Sequence, residues 1–181
     1  MASLYKKFKD NIRKELKEKL GKKNIHEVPQ VDKVVVAMGI GNLATKKGIK
    51  DFSDLESNLA KIAGQKPVII KAKKSVSNFK LREGMPVMLK VTLRKEKAYD
   101  FLERLNTYVF ERVRDFKGIS EKKIDNQANI SFGFKDQTVF AELNPDEIKI
   151  PQGIQVTIST TSDKKEDTKA LLESLGFLFT K

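Results

Sequence analysis

The sequence predicts an α+β fold, an antiparallel sheet with helices packed mainly on one side and an N-terminal helix in front of it. Three observations predict it. Val87, Leu89, Val91 and Leu93 alternate with Met88, Lys90, Thr92 and Arg94, the period of a strand with one apolar face. Phe52, Leu55, Leu59 and Ile62, and again Ala98, Phe101, Leu102, Leu105, Tyr108, Val109 and Val113, recur at helical spacing. These segments come one after another in an order that interleaves helices with strands.

Taken from the start, Leu4, Phe8, Ile12, Leu16 and Leu20 recur every fourth residue and line one face of a helix that Gly21 can end. Beyond Pro29, the Val-rich run Val31 to Met38 reads as a buried strand closing at Gly39-Ile40-Gly41. A Gly/Lys loop is expected next, then the helix over 52–62, capped by Ser53 or Asp51 and closed by Gly64 and Pro67. Val68 to Ile70 is a short strand, 87–94 the alternating one, and 98–113 the longest helix. Ile130, Phe132 and Phe134 alternate, with both rings expected in the core, and Val139 and Phe140 sit in a less regular piece. Asn144-Pro145 marks a turn. Ile154, Val156 and Ile158 form an appended strand, and Asp163 with Glu166 makes a capping-box start for a helix ending at Gly176. The middle six elements match the split βαβ arrangement, an RRM-like core. One domain over 1–181 is expected, because about 100–200 residues is the single-domain range and such a chain buries roughly 70% of its unfolded surface.

Composition narrows the chemistry. The chain has 181 residues, a formal net charge of +12, one His and no Cys or Trp. Disulfides, thiolate metal sites and thiol catalysis are excluded, and a His cluster is impossible. No run approaches the roughly 18 uncharged apolar residues that cross a bilayer. The first residues, Met-Ala-Ser-Leu-Tyr-Lys-Lys, lack the apolar core of a secretion signal, so an intracellular protein is expected. The charge is concentrated. Residues 1–23 carry +6, and residues 66–82 carry another +6 in Lys66, Lys71, Lys73, Lys74, Lys80 and Arg82 without one acid. The other 21 basic and 21 acidic residues cancel. Two such zones are the footprint of a phosphate-binding surface, the second lying on a projecting basic loop over 71–84.

Other chemistries fit poorly. Gly39-Ile40-Gly41 with Ala44 resembles part of a dinucleotide fingerprint, but the expected helix starts some ten residues later and no acid comes after the next strand to receive a ribose hydroxyl. Those glycines instead offer backbone N–H groups to phosphate. His26 reads as an ordinary exposed or satisfied residue, and Asp163, Glu166 and Asp167 alternate with lysines as solvated pairs. No enzyme and no cofactor are expected. The alternative to nucleic acid is a peripheral membrane protein acting through the basic amphipathic N-terminal helix, which requires a free apolar face.

Six blocks, in order, carry a resemblance. Val34 to Gly41 (VVVAMGIG), Gly64 to Lys74 (GQKPVIIKAKK), Phe79 to Met85 (FKLREGM), Val91 to Arg94 (VTLR), Arg112 to Ser120 (RVRDFKGIS) and Thr157 to Thr161 (TISTT) together resemble the bacterial large-subunit ribosomal protein five family, whose member binds 5S rRNA in the central protuberance. The resemblance spans nearly the whole chain. It implies a non-enzymatic cytoplasmic ribosomal protein whose partners are 5S rRNA, large-subunit rRNA, peptidyl-site tRNA and a small-subunit head protein met across an intersubunit bridge, with no membrane. Carried over by motif, the rRNA-binding candidates are Gly39, Gly41, Gln65, Lys66, Thr92 and Arg94. The tRNA-binding candidates are Lys71, Lys73, Lys74, Ser75, Asn78, Lys80 and Arg82. Phe79 is expected to pack the loop against the protein, and the bridge to involve 114–117 and 136–146. The chain departs from the family pattern at Ala37, Glu111 and Ile130, where Asn, Pro and Tyr are usual.

Overall fold

A computed structural model describes residues 3–46, 48, 49 and 51–180. Seven strands are present among them. β1 (Val31–Gly39), β2 (Val68–Lys71), β3 (Pro86–Arg94), β5 (Ile130–Phe134) and β6 (Ile154–Thr160) form one sheet in the order β2-β3-β1-β6-β5, while β4 (Ile119–Ser120) and β7 (Phe179–Thr180) make a small parallel pair. The fold is α+β with an antiparallel sheet, as expected. The appended strand is a different matter. β6 lies inside the sheet, between β1 and β5. Its Ile154, Val156 and Ile158 are all buried, whereas β5 is shorter and interrupted by Gly133, which suits an edge.

The chain divides into two compact units. Unit 1 comprises 1–34, 93–132 and 157–181, and unit 2 comprises 35–92 and 133–156. Every boundary falls within a strand, so β1, β3, β5 and β6 each give one end to each unit.

Among the described residues, unit 1 holds three helices longer than a single turn. α1 runs through Leu4–Lys7, a π turn at Phe8–Ile12 and Arg13–Lys19. Phe8 and Leu16 are buried at 2% and 1% exposure, and the Phe8 ring lies 5.1 Å from that of Tyr99, so the predicted apolar face is spent on the core. The long helix, Glu96–Arg104 continued by a π turn at Leu105–Val109 and by Phe110–Arg112, buries Ala98, Phe101, Leu102, Leu105 and Val109. Tyr108, expected on that face, is exposed, because the wider π turn shifts the helical register. The last helix, Lys165–Ser174, starts after Lys164 without a side-chain cap, and Ser162 Oγ rather than Asp163 accepts the Lys164 N–H at 3.1 Å. The capping box is therefore absent. Gly118 precedes β4 with φ +112, where a Cβ would stand 3.0 Å from the Leu178 carbonyl oxygen, so only glycine fits.

Unit 2 also contains helices. A short one, α2 (Gly41–Lys46), replaces the expected loop directly after the glycines. Leu43 buries its side chain, and the Leu43 and Ala44 N–H groups both bond Ile40 O, which turns the chain immediately. The unit is built around α3 (Ser53–Ala63), whose Leu55, Leu59 and Ile62 face inward and which ends at Gly64 in the left-handed conformation. The N-cap is Phe52, without a side-chain cap, so neither Ser53 nor Asp51 holds the expected capping position; Asp51 Oδ1, one residue before the cap, accepts the Ser53 N–H at 2.9 Å. That bond holds the Asp51 carboxyl below the usual carboxylate range. Leu89 and Val91 bury the apolar face of β3 read from the alternation, and Leu93 continues it within unit 1.

Candidate nucleic-acid interface

The basic loop is a built hairpin. β2 and β3 pair antiparallel from Val68↔Lys90 to Lys71↔Pro86, and β2 is the edge strand with every residue exposed. Beyond the strands the Ala72 N–H donates to Met85 O at 2.8 Å and the Gly84 N–H to Ala72 O at 3.0 Å. Val76 and Leu81 exchange backbone bonds of 2.9 and 3.1 Å around a 3-10 turn at Ser77–Phe79. Ser75 Oγ accepts the Glu83 N–H at 2.9 Å, so this tRNA candidate also holds the loop closed. The consequence is a fixed backbone presenting exposed side chains. Lys71, Lys73, Lys74, Lys80 and Arg82 all face solvent, and among the described residues none has a carboxylate within salt-bridge distance. The expectation for Phe79 fails: its ring is 74% exposed. Half-buried Leu81 and Met85, whose Sδ accepts the Arg82 N–H at 3.2 Å, take the packing role instead.

Gly39 and Gly41 sit below this hairpin in the same unit. Nothing lies within 4 Å of where a Gly39 Cβ would stand, while a Gly41 Cβ would touch Val87 at 3.5 Å. Gly39 is thus open to a ligand backbone and Gly41 is a packing contact. Gln152 Nε2 donates to Gly39 O at 2.7 Å and fixes the turn. A cleft of about 830 Å³ is bordered by Gly39 and Gly41 on one side and by Asn78, Phe79 and Lys80 on the other, so residues expected to meet two different RNAs border one space.

The remaining rRNA candidates are dispersed. Gln65, next to the left-handed Gly64, is half-buried and donates from Nε2 to Thr92 O at 3.5 Å. Lys66 is exposed, with Nζ 3.9 Å from Glu56. Thr92 is half-buried on the polar face of β3, whereas Arg94, exposed at the end of that strand, belongs to unit 1. Ala37 is buried.

In unit 1 Arg94 lies beside residues the sequence reading did not single out. Lys9, Arg13, Arg94 and Lys95 border a cavity of about 300 Å³ with Asp32 and Tyr99. A signal was available, since Lys9 and Arg13 stand at i and i+4 and so share one flank of α1. Much of the other N-terminal charge is answered locally. Lys7 reaches Glu103 at 3.8 Å, Lys19 reaches Glu173 at 3.8 Å, and Lys22 donates to Asp167 at 2.8 Å, a bond that raises the Lys22 pKa. With Phe8 and Leu16 buried, the free apolar face that membrane docking requires is absent from α1. No described helix is long and apolar enough to cross a membrane, and His26 is exposed in a short 3-10 turn.

Comparison with known proteins places these features in a family. A family model described as ribosomal protein L5 matches residues 24–82, and one describing the C-terminus of the same ribosomal family matches 86–179. The chain is 48% identical over 179 residues to the large ribosomal subunit protein uL5 of Natranaerobius thermophilus, covering 99% of each chain. It is 46% identical to the protein of that name from Thermosipho melanesiensis over 97% of this chain and 96% of that one. For the protein of that name from Thermus aquaticus, identity is 44% over 99% and 98%. With both halves matched and relatives aligned from end to end, the chain belongs to the ribosomal protein L5 family, ribosomal structural components rather than enzymes.

Proposed function

We propose that this chain is a constituent of the large ribosomal subunit in the cytoplasm, that it binds 5S rRNA and anchors it with large-subunit rRNA in the central protuberance, and that residues 1–181 act as one RNA-binding domain. The open turn at Gly39 with Gln65, Lys66, Thr92 and Arg94 meets the rRNA. The hairpin bearing Lys71, Lys73, Lys74, Ser75, Asn78, Lys80 and Arg82 meets peptidyl-site tRNA. The 114–117 turn and the 136–146 segment meet a protein of the small-subunit head. The observation that carries the RNA-binding part of the reading is the 71–84 hairpin, whose backbone is bonded along its length while its cations have no carboxylate partner among the described residues; the 5S assignment rests on the family. Unpaired cations on a fixed frame release counterions on meeting phosphate without first breaking an ion pair, and the frame sets their register on a folded RNA. Recognition is then by shape and charge rather than by a base code.

The test is filter binding of the full chain to 5S rRNA and to an unrelated structured RNA of equal length, across a salt series. The reading expects preference for 5S rRNA, with log affinity falling by roughly 0.7–0.9 per neutralised phosphate for each tenfold rise in salt. Equal affinity for the two RNAs overturns it.

A further inference from the structure

We propose that the cavity of unit 1 beside α1 is an anion site that takes one phosphate group of an RNA backbone. Four cationic residues, Lys9, Arg13, Arg94 and Lys95, border a space of about 300 Å³ against a single carboxylate, Asp32, which is itself 3.2 Å from Lys33 Nζ. Like charges converge there without the carboxylates that meet Lys7 and Lys19 elsewhere on α1.

Among the described residues, two donors at this cavity lack an acceptor. Arg13 Nε is buried and has no hydrogen-bond partner among the described residues, an arrangement that a protein tolerates where a ligand completes it. Tyr99 accepts the Val31 N–H at 3.2 Å, which leaves the phenol hydrogen to be donated elsewhere. That hydrogen stays on the oxygen, because burial pushes the Tyr99 phenol up to about 12. Lys9 is held in place with Nζ 4.3 Å from the centre of the Tyr5 ring. Lys95 carries φ +52, outside the usual range for a residue with a Cβ, at the junction of β3 and the long helix. An acceptor-rich, doubly bonded anion satisfies such donors, and phosphate presents its oxygens in the geometry a guanidinium matches. A free anion and an RNA phosphodiester share this chemistry; the source as RNA rests on the function proposed above, whereas the anion chemistry does not.

The test titrates inorganic phosphate into the full chain against chloride of matched ionic strength, read by amide NMR, and repeats the RNA salt series with Arg13→Gln and Arg94→Gln. Saturable shifts centred on Lys9, Arg13, Arg94, Lys95 and Tyr99, weakened about tenfold or more in each variant, support the site. So does a salt slope on 5S rRNA shallower by about 0.7–0.9. Shifts that never saturate, or that persist unchanged in the variants, overturn it. Phosphate binding lost with an unchanged RNA slope overturns the RNA assignment. Arg94 is exposed, so its variant reads the cavity even where Arg13→Gln disturbs folding. A wild-type chain that ignores 5S rRNA but saturates with phosphate refutes the function proposed above and leaves the anion site standing.

Discussion

The N-terminal segment and the 66–82 segment carry the same formal excess, +6 each, and they use it differently. In the N-terminal segment the charges flank a stripe whose Phe8 and Leu16 are buried, and Lys7 and Lys19 of α1 and Lys22 just beyond it lean on carboxylates of other elements. In the hairpin the cations at 71–82 lean on no described carboxylate, and the apolar residues beside them, Val68 at 66% exposure and Phe79 at 74%, are open too. Net charge on a segment therefore does not measure what it can offer a polyanion. What counts is the part left unpaired on a backbone already ordered, since that part costs little to engage.

The comparison can be broken most sharply through its aromatic residues. Phe8→Ala is expected to cost about 3–5 kcal/mol of stability, the range for truncating a buried Phe, whereas Phe79→Ala is expected to stay within about 0.5 kcal/mol, both read by urea unfolding. Equal costs would mean that α1 is not part of the core. Next in size is joint neutralisation of Lys73, Lys74, Lys80 and Arg82 by glutamine. Folding and 5S rRNA affinity should hold while peptidyl-site tRNA engagement on the ribosome weakens; a collapse of 5S binding would show that the two surfaces are not separate. Neutralising exposed Lys6 and Lys14 on α1 should weaken peptidyl-site tRNA engagement on the ribosome less than the hairpin variant does, because those side chains lie outside the hairpin.

The smallest effect concerns pH. The hydrogen bond to Asp167 raises the Lys22 pKa, so the stability from this pair is present below the ordinary lysine value and is lost as pH rises through the higher folded value. Lys22→Met should flatten the alkaline limb of a stability profile. Asp51 has the opposite sign. Its folded pKa is lowered by the Ser53 N–H, so its contribution is present above the ordinary carboxylate value and fades as pH falls through the depressed one. Asp51→Ala should flatten only the acid limb.

Much of the fold was legible because its signals are local. A spacing of four marks α1, a spacing of two marks β3, and Gly64 ends α3 as its position implies. The placing of β6 between β1 and β5 was not legible, since strand order depends on which edges meet and carries no mark in the strand itself. The helix at Gly41–Lys46 was hidden because two glycine-flanked turns look like a loop until Leu43 finds a core. Of the site, the cationic hairpin was visible as an acid-free run, and the turn at Gly39 as two glycines after a strand. The exposure of Phe79 was not, because an aromatic in a loop reads the same whether it is buried or free.

The sequence by itself determined where the long helices and the five strands of the main sheet lie, where the charge is concentrated, and the family, because periodicity, composition and ordered motifs are properties of neighbouring residues. Tertiary structure alone decided which lysines remain unpaired, that Gly39 is open while Gly41 is packed against Val87, and that Lys9, Arg13, Arg94 and Lys95 share one cavity. Those outcomes turn on contacts between residues far apart in the chain. Coulombic pairing and packing act over a few ångströms of space, whatever the separation in sequence.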